Sequence, residues 1–331
     1  MPTPPPLPAP GSDLLLPGFR LGHGTDLAAA TGVTVILCPE GAVAAADLRG
    51  TATGTRQFDS LLSPLHLGTR AHALVFAGGS GFGLAAADPV VAALARDGVG
   101  FDTGAAVVPL VPTAILFDLG VGGRSEPPGP ELVEAALAAA SQGPVATGNV
   151  GAGTGATVGK ALGPAQAMKG GFGFASLTAA SGLTVAAAVA VNAFGDVRDP
   201  ATGRLVAGCR VAPDRLELAH AERVIAAMPA GGDHPWERNT TLVAVLTDAA
   251  LTKNDCLKIS QMTFGALHRT LVPALSLYDG DLVATLARGE RQAHLHQVAV
   301  LAQAAAEAAI LRAVLAAEGF AGLPAARDLP P

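Results

Sequence analysis

The junction of Asn239 and Thr240 is the part of the sequence that most directly suggests covalent chemistry. Before it, Met228–Arg238 (MPAGGDHPWER) is rich in glycine, proline and charge and is typical of an exposed linker. After it, Thr241–Thr247 has the apolar pattern of a buried strand. If the peptide bond after Asn239 is strained, the Thr240 hydroxyl can attack the Asn239 carbonyl. An N-to-O acyl shift then forms an ester, and water releases a new N-terminus.

The product of such a cut would be a better catalyst than the intact chain. A free α-amine has a pKa of about 7.7–8.0, whereas a peptide nitrogen is not a base. The amine of Thr240 could therefore accept the proton of its own hydroxyl. Two alternatives remain open. Asn239 can be a turn residue that opens a strand, and Asn239-Thr240-Thr241 also fits a glycosylation acceptor, although residues 1–6 lack the pattern of a signal peptide.

Two carboxylates, Asp279 and Asp281, flank Gly280 between two apolar runs. Asp-Gly is a strong hairpin signal, so this motif can be turn chemistry alone. Carboxylates two residues apart at a strand edge can also point the same way. One of them then holds the amine or hydroxyl of a nucleophile, and the other orients the first.

The segment Gly151–Lys160 (GAGTGATVGK) brings Lys160 next to a glycine-rich loop. Gly151, Gly153 and Ala156 satisfy the dinucleotide-binding pattern, but no acidic residue follows at the right distance for a ribose, and the P-loop pattern fails. Lys160 can instead be a cation beside a nucleophile, or a solvated surface lysine.

Asn192 ends a run of alanine and valine, so its amide is expected at the rim of a buried sheet. An amide donor at that place can stabilise an oxyanion, a contribution of about 3–4 kcal/mol. A capping or turn asparagine is the competing interpretation. The eight histidines show no ligand spacing, and we expect neither a metal nor a cofactor.

Apolar runs and alanine-rich patterns predict the elements that must position these residues. The predicted strands are Gly32–Cys38, Ala73–Ala77, Ala105–Leu116, Leu183–Val191 and Thr241–Thr247, with a further short strand at Asp281–Ala287. The predicted helices are Phe82–Arg96, Pro130–Ser141, Lys253–His268 and Glu290–Glu318. Glycine runs border these elements and are candidate walls of a site, as in Gly78–Gly83 and Gly170–Gly173.

Composition limits the class of protein. Half of the 331 residues are apolar and 15% are charged, which excludes a disordered chain. The net charge of −6 comes with scattered basic residues, so no nucleic-acid surface is expected. Three widely spaced cysteines argue against a disulfide scaffold. The longest apolar stretches, such as Leu183–Ala193, are too short to span a membrane. We expect a cytoplasmic enzyme with a loose proline-rich arm over residues 1–17.

Taken together, these motifs resemble the self-processing DmpA-type aminopeptidases. They look closer still to their relatives, the endo-type 6-aminohexanoate-oligomer (nylon oligomer) hydrolases. The resemblance covers about residues 18–316. It rests on the order of four motifs and on the run Ala77–Leu84; the motifs are the glycine loop with Lys160, the strand-end Asn192, Asn239-Thr240-Thr241, and Asp279-Gly280-Asp281.

The resemblance assigns roles to these residues. It implies that Thr240 is an N-terminal nucleophile and that Asp279 and Asp281 orient and activate it. Lys160 and Asn192 would be polar groups of the active site, with Asn192 at the oxyanion. A threonine nucleophile and the Asp-Gly-Asp motif favour the nylon-hydrolase branch, since the aminopeptidase branch often carries serine.

The resemblance also implies a substrate pocket that includes Gly79, Ser80 and Gly153. Family members often place a tyrosine near the substrate carbonyl, and the matching residue here is Phe117. The missing hydroxyl removes one oxyanion donor, which bears on how well the usual substrates are turned over.

The fold implied by the resemblance is a four-layer αββα sandwich with one catalytic domain over residues 18–331. Cleavage would leave an α chain of residues 1–239 and a β chain of residues 240–331 that stay associated. Relatives assemble as homotetramers, and the same assembly is expected here.

Three functions follow for comparison. The first is an autoproteolytic amidohydrolase for short amides, either peptides (including those limited to β- or D-residues at the N-terminus) or linear 6-aminohexanoate oligomers. The second is a small-molecule-binding protein without catalysis on the same scaffold. The third is dinucleotide binding through residues 151–156.

Overall fold

The computed structural model describes Pro8, residues 13–229 and residues 239–330, which form a mixed α/β fold. Most of the predicted linker 228–238 and of the arm 1–17 lies outside these residues. The strands, in chain order, are β1 (Arg20–Asp26), β2 (Thr31–Leu48), β3 (Thr55–Arg56), β4 (Arg70–Ala77), β5 (Phe101–Asp102), β6 (Val107–Val108), β7 (Thr113–Ile115), β8 (Thr157–Val158), β9 (Met168–Lys169), β10 (Gly171–Thr178), β11 (Thr184–Asn192), β12 (Asp196–Arg198), β13 (Leu205–Ala207), β14 (Thr240–Ala249), β15 (Leu271–Val272) and β16 (Leu282–Arg291).

Six α-helices occur in the described residues: α1 (Asp59–Leu62), α2 (Ala87–Arg96), α3 (Pro130–Ala139), α4 (Ala221–Ala226), α5 (Lys253–Thr270) and α6 (Leu295–Leu315). Short 3-10 helices cover Ser80–Ala86, Val121–Gly123, Gly151–Gly153, Pro164–Gln166 and Ala326–Asp328. The start of α5 shows how local sequence fixes these bounds. Thr252 and Asp255 form a capping box, in which each side chain accepts the backbone N–H of the other.

The main sheet has nine strands in the order β10-β11-β14-β16-β2-β4-β7-β3, with β1 paired to β2. Strand β14 pairs antiparallel with β11 and parallel with β16. It therefore lies inside the sheet, and its first residue, Thr240, is opposite Asn192, the last residue of β11.

The long strand β2 lets this sheet fold over on itself. Its register shifts between Leu37 and Ala42, and Gly41 at the bulge has a φ of 78°. As a result, side chains from distant strands share one core, for example Phe76 of β4 and Phe174 of β10. The sheet thus forms two stacked layers with a common apolar core between them.

Helices cover the two outer faces. Alternate residues of β14 point to opposite sides: Leu242 and Ala244 enter the middle core, whereas Val243 and Val245 enter an outer core formed with α5 and α6. The other layer packs its outer face against α2 and α3. This arrangement is the αββα sandwich predicted from the sequence, and alanine-rich surfaces allow its layers to approach closely.

Three predicted elements need correction. The predicted helix Glu290–Glu318 begins later, at Leu295, because Glu290 and Arg291 are the last residues of strand β16. The predicted strand Ala105–Leu116 is broken, because β6 belongs to a small separate sheet with β5 and only β7 joins the main sheet. Pro109 and Pro112 lie between them and have no N–H to donate. The predicted helix Phe82–Arg96 starts as a 3-10 helix and becomes α-helical at Ala87.

The glycine run Gly170–Gly173, expected at a loop, leads into strand β10 instead. A Cβ at Gly173 would lie 1.9 Å from the Ala309 carbonyl oxygen in α6. These glycines therefore allow a strand and a helix to pack closely, and their role as a site wall is not supported.

Helix α6 is long and apolar enough by length and composition to cross a bilayer. It is longer than the apolar stretch Leu183–Ala193 that was given as an example from the sequence. Its residues Ala302, Ala305 and Ala309 are fully buried in the outer core. The apolar composition is thus explained by packing against β10 and β11. At the other end of the chain, Leu15 and Leu16, within the predicted arm, are buried in the middle core.

Candidate active site

Thr240 and Asn239 lie inside the protein, at the edge where β14 begins. Their exposed fractions are 2% and 1%. Asn239 forms a parallel bridge with Asp279, and its N–H donates to the Tyr278 carbonyl at 2.9 Å. The junction is therefore held as an extension of the sheet. Neither residue is among the positive-φ residues of the described chain.

The carbonyl of Asn239 receives two hydrogen bonds. The Thr240 hydroxyl donates to this oxygen, and the Gly280 N–H donates to it at 2.8 Å. The second donor polarises the carbonyl in the direction that nucleophilic attack requires. Gly280 also leaves room for the hydroxyl, because a Cβ there would lie 2.7 Å from Thr240 Oγ1.

Lys160 reaches this junction from the glycine-rich segment. Its Nζ donates to Asn239 Oδ1 at 2.6 Å and to Asn192 Oδ1 at 3.1 Å. It also contacts the main-chain carbonyl oxygens of Asn192 and Ala193 at 3.2 and 3.3 Å. The side chain is buried, with 6% exposure, so the solvated-lysine interpretation is wrong.

Asn192 connects the same cluster to the other layer of the sheet. Its Oδ1 accepts the Thr157 N–H at 2.9 Å, and its Nδ2 donates to the Phe117 carbonyl at 3.0 Å. The residue is fully buried, so its amide is part of an interior network. Nδ2 contacts Phe117, and the backbone donor on the Asn239 carbonyl is the Gly280 N–H.

Asp279 and Asp281 lie on either side of Gly280 and accept backbone N–H groups around the junction. Asp279 accepts from Phe194 and from Ser276, and Asp281 accepts from Thr241 at 2.6 Å. Burial raises the pKa of Asp279. Burial and the nearby charge of Asp279 raise the pKa of Asp281 well above its ordinary value. Asp281 therefore fixes the backbone next to Thr240, and Asp279 fixes the backbone at Phe194 and Ser276.

A cavity of about 370 Å³ lies beside this polar cluster. Lys160 and Thr157 contribute to its wall, and the rest is mainly apolar, including Phe117, Leu119, Val121, Pro164, Ala165 and Leu323. An apolar pocket with a few polar groups is the usual form of a small-molecule site.

Of the four residues expected in a substrate pocket, the structure places Phe117 in the wall of this cavity and the other three elsewhere. Gly79 donates its N–H to Asp118 Oδ1 at 2.7 Å, and the Ser80 N–H donates to the Leu116 carbonyl. A Cβ at Gly153 would lie 2.1 Å from the Phe172 nitrogen. These three residues pack against neighbouring segments and do not contribute to the wall of this cavity.

The glycine-rich loop 151–156 is filled by the protein itself. A Cβ at Gly151 would meet His23 Nδ1 at 2.3 Å, and one at Gly155 would meet the Ala30 carbonyl oxygen at 2.1 Å. Close packing within the protein therefore accounts for these glycines without a bound dinucleotide. Within residues 13–229 and 239–330, no group of histidine, cysteine and acidic residues is arranged to hold a metal ion.

Three polar residues near the site were not recognised from the sequence: Thr157, Lys169 and Asp118. Lys169 is completely buried, and its Nζ donates to the carbonyls of Thr154 and Ala156. Asp118 accepts from the Thr31 hydroxyl at 2.7 Å, and burial raises its pKa to about 6. A single lysine or aspartate in a sequence carries no signal of burial, because these residues are usually exposed.

The sequence matches Peptidase family S58 over residues 16–327, so the chain belongs to this family. An uncharacterized aminopeptidase of Mycobacterium bovis is 40% identical over 95% of this chain and 96% of its own length. A 6-aminohexanoate-oligomer endohydrolase of Paenarthrobacter ureafaciens is 29% identical over 83% of this chain and 74% of its own length.

Solved structures share the fold. The L-aminopeptidase D-Ala-esterase/amidase from Ochrobactrum anthropi, described as a variant of the Ntn hydrolase fold, has a TM-score of 0.68 at 17% identity, covering 96% of this chain and 90% of its own. The beta-aminopeptidase of a Burkholderia species has a TM-score of 0.66 at 22% identity, covering 94% and 89%.

The protein is therefore an enzyme of the peptidase and amidohydrolase class. The hypothesis of a non-catalytic binding protein is not supported. Overall identity is higher with the Mycobacterium aminopeptidase than with the endohydrolase, so it does not reinforce the preference for the endohydrolase branch that Thr240 and Asp279-Gly280-Asp281 suggested.

Proposed function

We propose that this protein cuts its own chain between Asn239 and Thr240 and then hydrolyses short amides with Thr240 as the nucleophile. The observation that carries the proposal is the geometry at the Asn239 carbonyl. The Thr240 hydroxyl lies against it, and the Gly280 N–H donates to the same oxygen.

The self-cleavage would proceed by an N-to-O acyl shift. Thr240 Oγ1 attacks the Asn239 carbonyl carbon, and the negative charge that develops on the oxygen is stabilised by the Gly280 N–H. The C–N bond breaks, its nitrogen takes up a proton, and an ester remains between Asn239 and Thr240. Water then hydrolyses the ester to the Asn239 carboxyl group and a free Thr240 hydroxyl.

Lys160 would hold the acyl side of this reaction. Its ammonium contacts Asn239 Oδ1, which fixes the side chain of the residue before the cut. Because folding has already fixed both reacting groups in one geometry, the reaction loses little further entropy and its rate is higher. The mature enzyme would then use the Thr240 amine as the base that accepts the hydroxyl proton, first in acylation by a substrate and next in hydrolysis of the acyl-enzyme.

The substrates proposed are short amides with an apolar portion, because the cavity beside Lys160 is mainly apolar. Peptides, including those with β- or D-residues at the N-terminus, and linear 6-aminohexanoate oligomers are the two classes to compare. Association of the two fragments, assembly into a homotetramer and a cytoplasmic location belong to the same proposal.

The test is intact-mass spectrometry of purified protein during incubation, combined with an amidase assay. We expect the wild type to yield a fragment that begins at Thr240, and Thr240→Ala to stay uncut and inactive. Thr240→Ser should still be cut, because it keeps the hydroxyl. A suitable control is Thr247→Ala on the same strand, which removes another buried hydroxyl bonded to a backbone carbonyl. An active wild type with an uncut chain would refute the proposal.

The assay should use aminoacyl anilides of L-, D- and β-amino acids and, in parallel, linear 6-aminohexanoate oligomers. Release of the anilide reports aminopeptidase activity. Chromatography of the oligomer products distinguishes cleavage in the interior from cleavage at chain ends.

A further inference from the structure

Lys169 is a fully buried lysine that takes no part in the proposed reaction. Its Nζ donates to three main-chain carbonyls, those of Gly153 at 3.4 Å, Thr154 at 2.9 Å and Ala156 at 2.6 Å. Burying an ammonium is costly even when it is hydrogen-bonded, and an apolar side chain of similar volume is often no less stable in such a place. The position of these three carbonyls suggests a role for the Lys169 side chain.

The carbonyls that bind Lys169 lie directly before Thr157, and Lys169 also contacts Thr157 through the backbone. Strands β8 and β9 pair antiparallel, with Thr157 opposite Lys169. The N–H of Lys169 donates to the Pro324 carbonyl at 2.8 Å, next to Leu323 in the cavity wall. One residue thus holds Thr157 by its main chain and holds the preceding loop by its side chain.

Thr157 is the residue that orients the amide of Asn192. Its N–H donates to Asn192 Oδ1 at 2.9 Å and its hydroxyl lies 3.3 Å from the same atom. Because an N–H donor must face an oxygen, Thr157 determines which end of the amide points toward Lys160. The Lys160 ammonium in turn donates to Asn192 Oδ1 and to Asn239 Oδ1.

We propose that Lys169 is a positioning residue for the chemistry at Thr240. It holds the loop before Thr157, so that Thr157 fixes the Asn192 amide and, through it, the Lys160 ammonium. This inference rests on the proposed function of Thr240. The charged groups that act on Lys169 are Asp118 and Lys160, and burial lowers its pKa to about 7.

The test compares Lys169→Met and Lys169→Gln with the wild type in self-cleavage and amide hydrolysis. Methionine fills a similar volume without donors, and glutamine keeps two N–H donors. Misplacing a reacting group by about 1 Å costs on the order of a hundredfold in rate. We therefore expect Lys169→Met to slow both reactions by about tenfold to a hundredfold, with Lys169→Gln between it and the wild type. The kcat of the mature enzyme should fall while KM stays within about twofold.

Lys253 provides matched controls. It is also a buried lysine whose Nζ donates to main-chain carbonyls, those of Ser60 at 2.7 Å and Gly68 at 3.2 Å, and neither residue belongs to the site. Lys253→Met and Lys253→Gln should leave kcat unchanged at equal folded fraction, as measured by circular dichroism. If Lys169→Met does not fold, the two glutamine variants decide the question.

The inference is overturned if the Lys169 variants are cut and turn over at wild-type rates, or if the Lys169 and Lys253 variants lose activity in proportion to lost stability. Failure of the underlying function has a different signature. In that case Thr240→Ala would retain activity or the wild type would remain uncut, whatever the Lys169 variants do.

Discussion

Replacing Gly280 by alanine tests whether the position of the Thr240 hydroxyl controls self-cleavage. A Cβ at Gly280 would lie 2.7 Å from Thr240 Oγ1 and 2.8 Å from the Ala52 carbonyl oxygen. Gly280 has no positive φ, so alanine is compatible with its backbone. The N–H that donates to Asn239 is retained. The substitution therefore changes the space around the nucleophile and leaves the donor in place.

The magnitude follows from the overlap. Contacts become ordinary at about 3.4 Å, so the Thr240 hydroxyl must move by about 0.7 Å, since the Ala52 backbone restricts movement of the new methyl group to the other side. A displacement near 1 Å costs on the order of a hundredfold in rate when reacting groups are otherwise aligned. We expect Gly280→Ala to slow self-cleavage by about tenfold to a hundredfold.

The assay is the fraction of uncut chain against time, from denaturing gels of protein purified immediately after expression. Gly100→Ala is the matched control, because a Cβ there would meet backbone atoms at 2.6 and 2.7 Å in the separate hairpin of β5 and β6. It should reproduce the crowding without the effect on cleavage. Wild-type cleavage in a folded Gly280→Ala variant would refute the reasoning.

Three further predictions concern charged groups. Lys160→Met should slow self-cleavage at least about tenfold, because it removes the charged hydrogen bond to Asn239; time-resolved intact mass measures this. The rate of self-cleavage should rise with pH as Asp279 and Asp281 ionise, and this rise should lie above the ordinary aspartate pKa of 3.8, because burial raises the pKa of both groups. In a pH–rate profile, Asp279→Asn should shift the rise to lower pH, because it removes the charge that raises the pKa of Asp281. Because the pKa of Asp118 is raised from 3.8 to about 6, the folded state binds more protons than the unfolded state between these values, and the free energy of unfolding should fall as pH rises through them. Urea unfolding should show a shallower fall in Asp118→Asn.

The polar residues of the site could be predicted because each stands at the border of a strongly patterned element. Asn192 ends an apolar strand, Asn239 precedes one, and Thr240 is the first residue of that strand. Strand β10 was missed for the opposite reason, since its glycines lower strand propensity. Glycine is needed in β10 because the α6 backbone approaches it closely, and this contact joins residues more than a hundred positions apart.

Burial of charge was the other feature that the sequence could not predict. Lys160 and Lys169 lie nine residues apart in similar glycine-rich surroundings, and both are buried among carbonyl oxygens. Some of the residues that contact them are far away in the sequence: Lys160 binds Asn239, and the Lys169 N–H donates to the Pro324 carbonyl. A local sequence pattern indicates which side chains are reactive types, whereas the fold determines which of them are excluded from water.

The structure adds a physical reason for expecting cleavage at Asn239. The argument from the sequence relied on a flexible linker and on the condition that the bond after Asn239 is strained. The junction is instead extended, buried and held by the Tyr278 carbonyl, the Gly280 N–H and the Lys160 ammonium. These contacts fix the Asn239 carbonyl relative to the Thr240 hydroxyl. Preorganisation of this kind can supply about 7–11 kcal/mol of a barrier. Substitutions that loosen the contacts should therefore slow the cut.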